Sequence, residues 1–260
     1  MRNIFYITLY IVILSTSIYT QNLHNKFNIN SDDLAKVIIN EDEITKKAIT
    51  TTPVNFLTLV DKLLNNSVDL TLVDKNHRLL ENYIPPKMVN LSDFDLHTRY
   101  KTMLFAQYAI DDFIQMSNDA KKNNIDIFIA STYRSYGFQN RIFNNMKNFH
   151  GEEKAATIVA YPGASQHQLG TAVDFGTITT AYAYTDAGKW LKENSWKYGF
   201  TLSYPKGKES LTTYIWEPWH YRYIGPAGAL IQRNYFNDIQ QNFLIFWDKY
   251  SAFFLERHIH

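Results

Sequence analysis

The sequence contains no cysteine. Disulfides, thiolate metal ligands and a lipid anchor on an amino-terminal cysteine are therefore excluded. Any metal site must be built from histidine and carboxylate. An excess of one charge is also lacking: 26 Lys and Arg stand against 25 Asp and Glu, a formal net charge of +1. That balance provides no electrostatic footprint for nucleic acid, and none is expected as a partner. The chain has no internal repeat and no low-complexity segment. Its apolar amino-terminal run, Ile4 to Leu14, is short for a membrane span of ~20 residues.

What is present is a chain of 260 residues with 45% hydrophobic residues, enough for one sizeable core plus extra segments. Its 18 Tyr and 17 Phe suit an aromatic core or an aromatic-lined groove. At the amino terminus Arg2 precedes the apolar run, and Ser15-Thr16-Ser17 follows it. A basic start, a short apolar stretch and small residues make an export signal over residues 1–20, with an uncleaved membrane anchor as the alternative. Either way the remainder is expected outside the cytoplasmic membrane, in the periplasm or cell envelope.

Residues 21–67 read as a polar, partly helical spacer, with one helix from Asp32 toward Lys47 and a break at Thr50-Thr51-Thr52-Pro53. The globular domain is expected over 68–228. Leu70 to Val73 and Tyr214 to Trp216 look like strands, as do Ile125 to Ala130 and Thr171 to Phe175. Helical spacing marks 98–118, Tyr136 to Phe149 and Asp186 to Tyr198. Residues 229–260 form an aromatic-rich extension, read as a helix that packs back on the domain.

Three segments carry the chemistry. His167 and Asp174 flank Gly170, which allows the turn that brings a loop residue and a strand residue together. Glu217-Pro218-Trp219-His220 supplies a second imidazole and a second carboxylate, and Pro218 disfavours a regular strand there. Arg134 follows the strand ending at Ala130. Two His and one Asp can hold a zinc ion with one position open for water. The remaining Glu can take a proton from that water, and an Arg fork can bind a carboxylate or a developing oxyanion. Each residue alone also has a bland reading: His167 and Asp174 as loop and backbone partners, Glu217 on the surface, His220 as a core imidazole, Arg134 in an ion pair. His258 and His260 form a tail pair that could bind metal adventitiously.

STYRS with Gln139, then SQHQLGTAVD, YPKGK and EPWHYRY, together with LTLVDKNHRLLENYIPPKMV, resemble the VanY-type D-alanyl-D-alanine carboxypeptidases over about 68–228. The resemblance implies an α+β fold with a central, mostly antiparallel sheet flanked by helices, as in the D-alanyl-D-alanine peptidase and Hedgehog amino-terminal group. It implies one zinc ion on His167, Asp174 and His220, Glu217 as catalytic base, and Arg134 as the arginine that binds substrate and stabilises the transition state. Gln139 and Ser165 match positions lining the substrate site. Thr132 stands where the family commonly has Gly, Gln166 where it has Glu, and Ser203 where it has Arg.

The expected function is a monomeric, exported zinc carboxypeptidase trimming the terminal D-alanine of peptidoglycan stem peptides. An LD-carboxypeptidase acting on tetrapeptide stems is the close variant. A non-catalytic zinc-bearing wall-binding module is the alternative of another class.

Overall fold

The computed structural model describes residues 27–258; the export signal expected over 1–20 and His260 lie outside them. Among the described residues no helix is long and apolar enough to cross a membrane. The elements in order are helices α1 (Ser31–Ile38), α2 (Glu43–Thr51) and α3 (Pro53–Asn65), strands β1 (Met88–Asn90) and β2 (Leu104–Ala106), helix α4 (Ile110–Lys122), strand β3 (Ile129–Ser131), helices α5 (Tyr136–His150) and α6 (Glu152–Ile158), strand β4 (Ala172–Phe175), helix α7 (Asp186–Asn194), strand β5 (Phe200–Leu202), a one-turn helix α8 (Glu209–Thr212), strand β6 (His220–Tyr223), and helices α9 (Gly225–Tyr235) and α10 (Gln240–Arg257). The fold is α+β. Its central sheet has four antiparallel strands in the order β3-β4-β6-β5, and β1 pairs with β2 in a separate ribbon.

Several local expectations change. The helix expected from Asp32 is two helices, because Asp42 caps a new one by accepting hydrogen bonds from the backbone N–H of Ile44 and Thr45. Leu70 to Val73 and Tyr214 to Trp216 form no strand. Leu70, Leu72 and Tyr214 are buried without a ladder partner, so apolar content alone mimicked a strand there. The helix expected over 98–118 begins only at Ile110; Leu104–Ala106 pairs with β1 instead. A short apolar run is ambiguous between the two states, and the available partner strand decided it. Helix 186–198 holds, with its last turn, Ser195–Tyr198, tightened to 3-10 geometry. Gly199 closes it at φ +79°; a Cβ there would lie 2.6 Å from the Gly225 carbonyl carbon, so only glycine fits.

Two large apolar cores result, with a small third cluster of Phe143, Ala155 and Ala156 between α5 and α6. One lies between the central sheet and helices α4 and α7, where Phe105, Phe113, Phe175, Phe200 and Tyr223 interlock edge-to-face or tilted. It anchors the backs of β4, β5 and β6. The second joins α1–α3 to α9 and α10 through Phe56, Phe236, Phe243, Phe246 and Phe254. The aromatic carboxy-terminal helix thus packs back on the molecule, and residues 27–66 pack with it. His258 closes this layer: it is buried, its Nε2 lies 2.8 Å from Asp61, and its ring packs on Phe27. It is part of the core rather than an exposed chelating tail.

Candidate active site

The sheet register brings the site together. Asp174 on β4 lies directly opposite His220 on β6, and Ser131 on β3 lies opposite Asp174 from the other side. Directly paired residues have Cβ atoms about 5 Å apart, close enough for a carboxylate to meet an imidazole. His167 comes from a short 3-10 turn, Gln166–Leu169, closed by Gly170 in the left-handed region at φ +72°. That turn lets the chain reverse directly into β4. Before β6, the His220 backbone N–H donates to the Glu217 carbonyl, a tight turn holding Pro218 and Trp219. It delivers Glu217 to the same side as His220, as the proline had suggested.

His167, Asp174, Glu217 and His220 are all buried, and Arg134 is half-buried. One ligand atom from each of His167, Asp174 and His220 lies within 4.8 Å of the others. His167 Nε2 is 3.2 Å from Asp174 Oδ2, and His220 Nδ1 is 2.9 Å from Asp174 Oδ1. Arg134 Nη2 donates to Asp174 Oδ2 at 3.4 Å. Glu217 Oε2 stands 3.8 Å from His220 Nδ1.

Hydrogen bonds fix which ring nitrogens face inward. His167 Nδ1 lies 2.6 Å from the Thr132 carbonyl, which can only accept, so Nδ1 carries the proton. Its Nε2 is then a bare lone pair, and it is buried with no hydrogen-bond partner. It faces a carboxylate that is likewise an acceptor. Bare acceptors that converge in a buried space call for a cation. Two imidazoles and one carboxylate at this spacing are donors zinc takes, so the residues fit a zinc ion, with no thiolate available to favour a softer metal.

The electrostatics agree. Burial, with Arg134 nearby, lowers the His167 pKa to about 4, against an ordinary 6.5, so the ring is neutral and ready to ligate. Burial pushes the Asp174 carboxyl up, but the two histidines more than offset this and hold it well below the usual range. Glu217 goes the other way. Burial and the Asp174 charge raise it well above an ordinary glutamate, with Arg134 opposing. One carboxylate therefore stays ionised as a ligand while its neighbour has a high proton affinity, the division of labour a metal-assisted hydrolase needs.

The His167 shift has a consequence for the metal-free protein. Between pH 6.5 and about 4 the unfolded chain binds a proton at His167 that the folded protein does not. Stability therefore rises with pH across that window and is lost as pH falls. Displacement of this size corresponds to roughly 3 kcal/mol over the window. The lowered Asp174 carboxyl adds to the loss in the same direction at lower pH. Glu217 opposes this, since its raised pKa lets the folded protein keep a proton that the unfolded chain releases in the same range. In metal-free Glu217→Gln, where that offset is gone, the denaturant midpoint is expected to be lower at pH 5 than at pH 7. A flat profile between them is the outcome that contradicts the burial of a neutral His167.

Beside Arg134 a cavity of about 440 Å³ opens, lined by Tyr100, Met103, Thr132, Tyr133 and Phe138 among others. A larger groove, about 1070 Å³, runs between α2, α3 and α9 but holds none of these groups. Of the site's charged groups, the smaller cavity is lined by Arg134. Gln139 is buried on α5 with its amide donated to the Ala160 carbonyl, and Ser165 is buried at the start of the 3-10 turn. Neither makes a polar contact with the His, Asp, Glu and Arg group. Three contributors were not singled out as functional in the sequence. Thr132 accepts from His167, Tyr204 packs its ring 4.8 Å from that of His220, and Gln166 Oε1 lies 3.1 Å from His220 Nε2. All three sit inside the quoted motifs, so adjacency to a ligand was the available signal.

Comparison with known proteins fits this geometry. The VanY family model, described as D-alanyl-D-alanine carboxypeptidase, matches residues 102–226. The chain is similar to YodJ of Bacillus subtilis, a protein assigned by name to the carboxypeptidases, at 39% identity over 64% of this chain and 63% of that one. It is similar to VanXYC of Enterococcus gallinarum, a bifunctional D-Ala-D-Ala dipeptidase and carboxypeptidase, at 31% identity over 60% and 83%. Among solved structures it resembles the LdcB LD-carboxypeptidase, with TM-score 0.61 and 36% identity over 67% of this chain and 84% of that one. It also resembles a variant of a VanY D,D-pentapeptidase from a VanB-type resistance cassette in complex with Zn(II), with TM-score 0.56 and 26% identity over 67% and 98%. The chain spans 63% and 55% of the length of two curated relatives it matches.

Proposed function

Since the chain belongs to the VanY-type D-alanyl-D-alanine carboxypeptidase family, we propose that it is a zinc-dependent carboxypeptidase that removes the terminal D-alanine of peptidoglycan stem peptides. One observation carries this reading beyond a metal-binding module. Glu217 is a buried carboxylate outside the ligand set, 3.8 Å from a ligand nitrogen and with raised proton affinity. A purely structural metal site has no use for such a group.

His167 Nε2, Asp174 and His220 Nδ1 would hold the ion. Zinc bound there supplies Lewis acidity toward the scissile carbonyl and lowers the pKa of a water to about 7. Glu217 accepts the attacking water's proton and returns it to the departing D-alanine amine. Arg134 is fixed at its backbone by a hydrogen bond to the His167 carbonyl. Its buried Nε has no hydrogen-bond partner, which leaves donors for the substrate's terminal carboxylate or for the oxyanion. Gln139 and Ser165 line the pocket around the D-alanine in this reading.

The catalytic unit spans 68–228. The core shared by α1–α3 with α9 and α10 supports a bracing role for the flanking segments. The protein acts as an exported monomer at the cell envelope, with residues 1–20 as signal or anchor; the wall substrate and the basic, apolar start support that placement.

Release of D-alanine by the purified protein is expected from a pentapeptide stem, is abolished by a chelator, and returns with added zinc. Release indifferent to chelation overturns the mechanism. Preference for a tetrapeptide stem moves the assignment to the LD bond, and wall binding without turnover returns it to a binding module.

A further inference from the structure

Gln166 is the side chain that meets the outer nitrogen of His220, and it is an amide rather than a carboxylate. A glutamate beside His220 accepts through either oxygen. A glutamine amide has one accepting end and one donating end, so it selects a histidine tautomer only if something orients it. The buried surroundings of Gln166 do orient it. Thr201 offers a backbone carbonyl, which can only accept. Gln240 Nε2 donates to that carbonyl at 3.2 Å and to the Thr201 hydroxyl at 2.7 Å. Gln240 must therefore turn its Oε1 the other way, where it accepts from Gln166 Nε2 at 3.1 Å. Gln166 in turn presents Oε1 to His220 Nε2 at 3.1 Å, and the Ser203 hydroxyl donates to the same oxygen at 2.7 Å. Gln166, Ser203, His220 and Gln240 are all buried, and Thr201 is too. No water is needed to complete the chain of hydrogen bonds.

We propose that Gln240, the first residue of the carboxy-terminal helix α10, is a positioning residue for the metal site. Acting through Gln166, it keeps an acceptor at His220 Nε2, so that the ring can carry its proton there while Nδ1, 2.9 Å from Asp174 Oδ1, is given up to a metal. Without Gln240, the Gln166 amide is free to flip, present its NH2 to His220, and draw the proton to Nδ1, the atom that must be bare to ligate. Ser203 belongs to the same arrangement. Its hydroxyl adds a second donor to the Gln166 oxygen and also lies 3.1 Å from Gln240 Oε1. The aromatic extension thereby has a part in the chemistry: its second core with α1–α3 pins the end of α10 that carries Gln240.

This inference rests on the metal-site reading above and not on the identity of the substrate. It is tested by ¹H–¹⁵N NMR on the full-length, zinc-loaded, histidine-labelled protein. The unsubstituted protein is expected to show the His220 Nε2–H as a downfield, hydrogen-bonded proton. Absence of that signal overturns the proposal, whether or not any variant folds. In Gln240→Met the signal is expected to move upfield. Zinc affinity measured by chelator competition is expected to fall about ten- to a hundredfold, the range typical for loss of an outer-sphere partner. Adding Gln166→Glu to that variant supplies an acceptor that needs no orienting, and should restore both the signal and the affinity. An unchanged signal and affinity in Gln240→Met, or a loss that Gln166→Glu leaves unrepaired, overturns it. Absence of D-alanine release with the expected signal and affinities faults the carboxypeptidase reading alone.

Discussion

Replacing Glu217 by Gln is expected to lower kcat for D-alanine release by about 10²- to 10⁴-fold, the range for loss of a general acid–base group, while zinc affinity stays within a few-fold of the parent. The two readouts separate because Glu217 is not one of the converging donors: its Oε2 lies 3.8 Å from His220 Nδ1, outside the group of His167, Asp174 and His220. Glutamine keeps the volume and the buried packing and removes only the capacity to take a proton. In the metal-free protein, burial and the neighbouring Asp174 charge raise its pKa well above the ordinary value, which makes it the carboxylate here that takes up a proton most readily. Burial already disfavours the charged form of Glu217, so an uncharged amide of the same size should leave thermal stability unchanged or slightly higher. Steady-state release assays beside zinc titration check this. A variant that keeps full turnover removes Glu217 from the mechanism. One that loses zinc as well makes it a ligand.

Asp174→Ala is expected to have the larger effect on metal. Asp174 stands between the two imidazoles, Oδ1 toward His220 and Oδ2 toward His167, and it carries the only negative charge in the ligand set. A four-ligand zinc site contributes about 10–16 kcal/mol, so one ligand is worth roughly 3 kcal/mol, a factor above a hundred in affinity. Activity should fall to background at ordinary zinc concentrations. The same change leaves the Arg134 guanidinium without the carboxylate 3.4 Å away. The metal-free variant should therefore also lose stability on that account, although Arg134 is partly solvated and the loss is modest. Chelator competition and thermal unfolding report the two effects independently. Zinc affinity unchanged in this variant would place the ion elsewhere.

The sequence revealed the site more fully than the fold around it. His167, Asp174, Glu217 and His220 were legible because metal chemistry restricts residue types so narrowly that a few spaced side chains stand out. The strand ends were less legible. Leu70 to Val73 and Tyr214 to Trp216 have strand-like composition but find no partner edge, while Leu104–Ala106 sits within helical spacing and pairs with β1. Strand formation depends on a second strand being available, and local pattern does not carry that information.

Sequence alone determined the inventory: no thiolate, two imidazoles and two carboxylates in ordered motifs, an arginine after a strand, and a basic, apolar start. Those follow from residue identity and short-range spacing. Only the tertiary structure decided which atoms do what. The β4–β6 register set Asp174 opposite His220, and the Thr132 carbonyl turned His167 Nε2 inward. A contact across 74 positions joined Gln166 to Gln240 on a helix that had looked like mere packing. Tautomers and amide orientations depend on which carbonyl or amide lies across a buried contact, and that is settled only when distant segments close on one another.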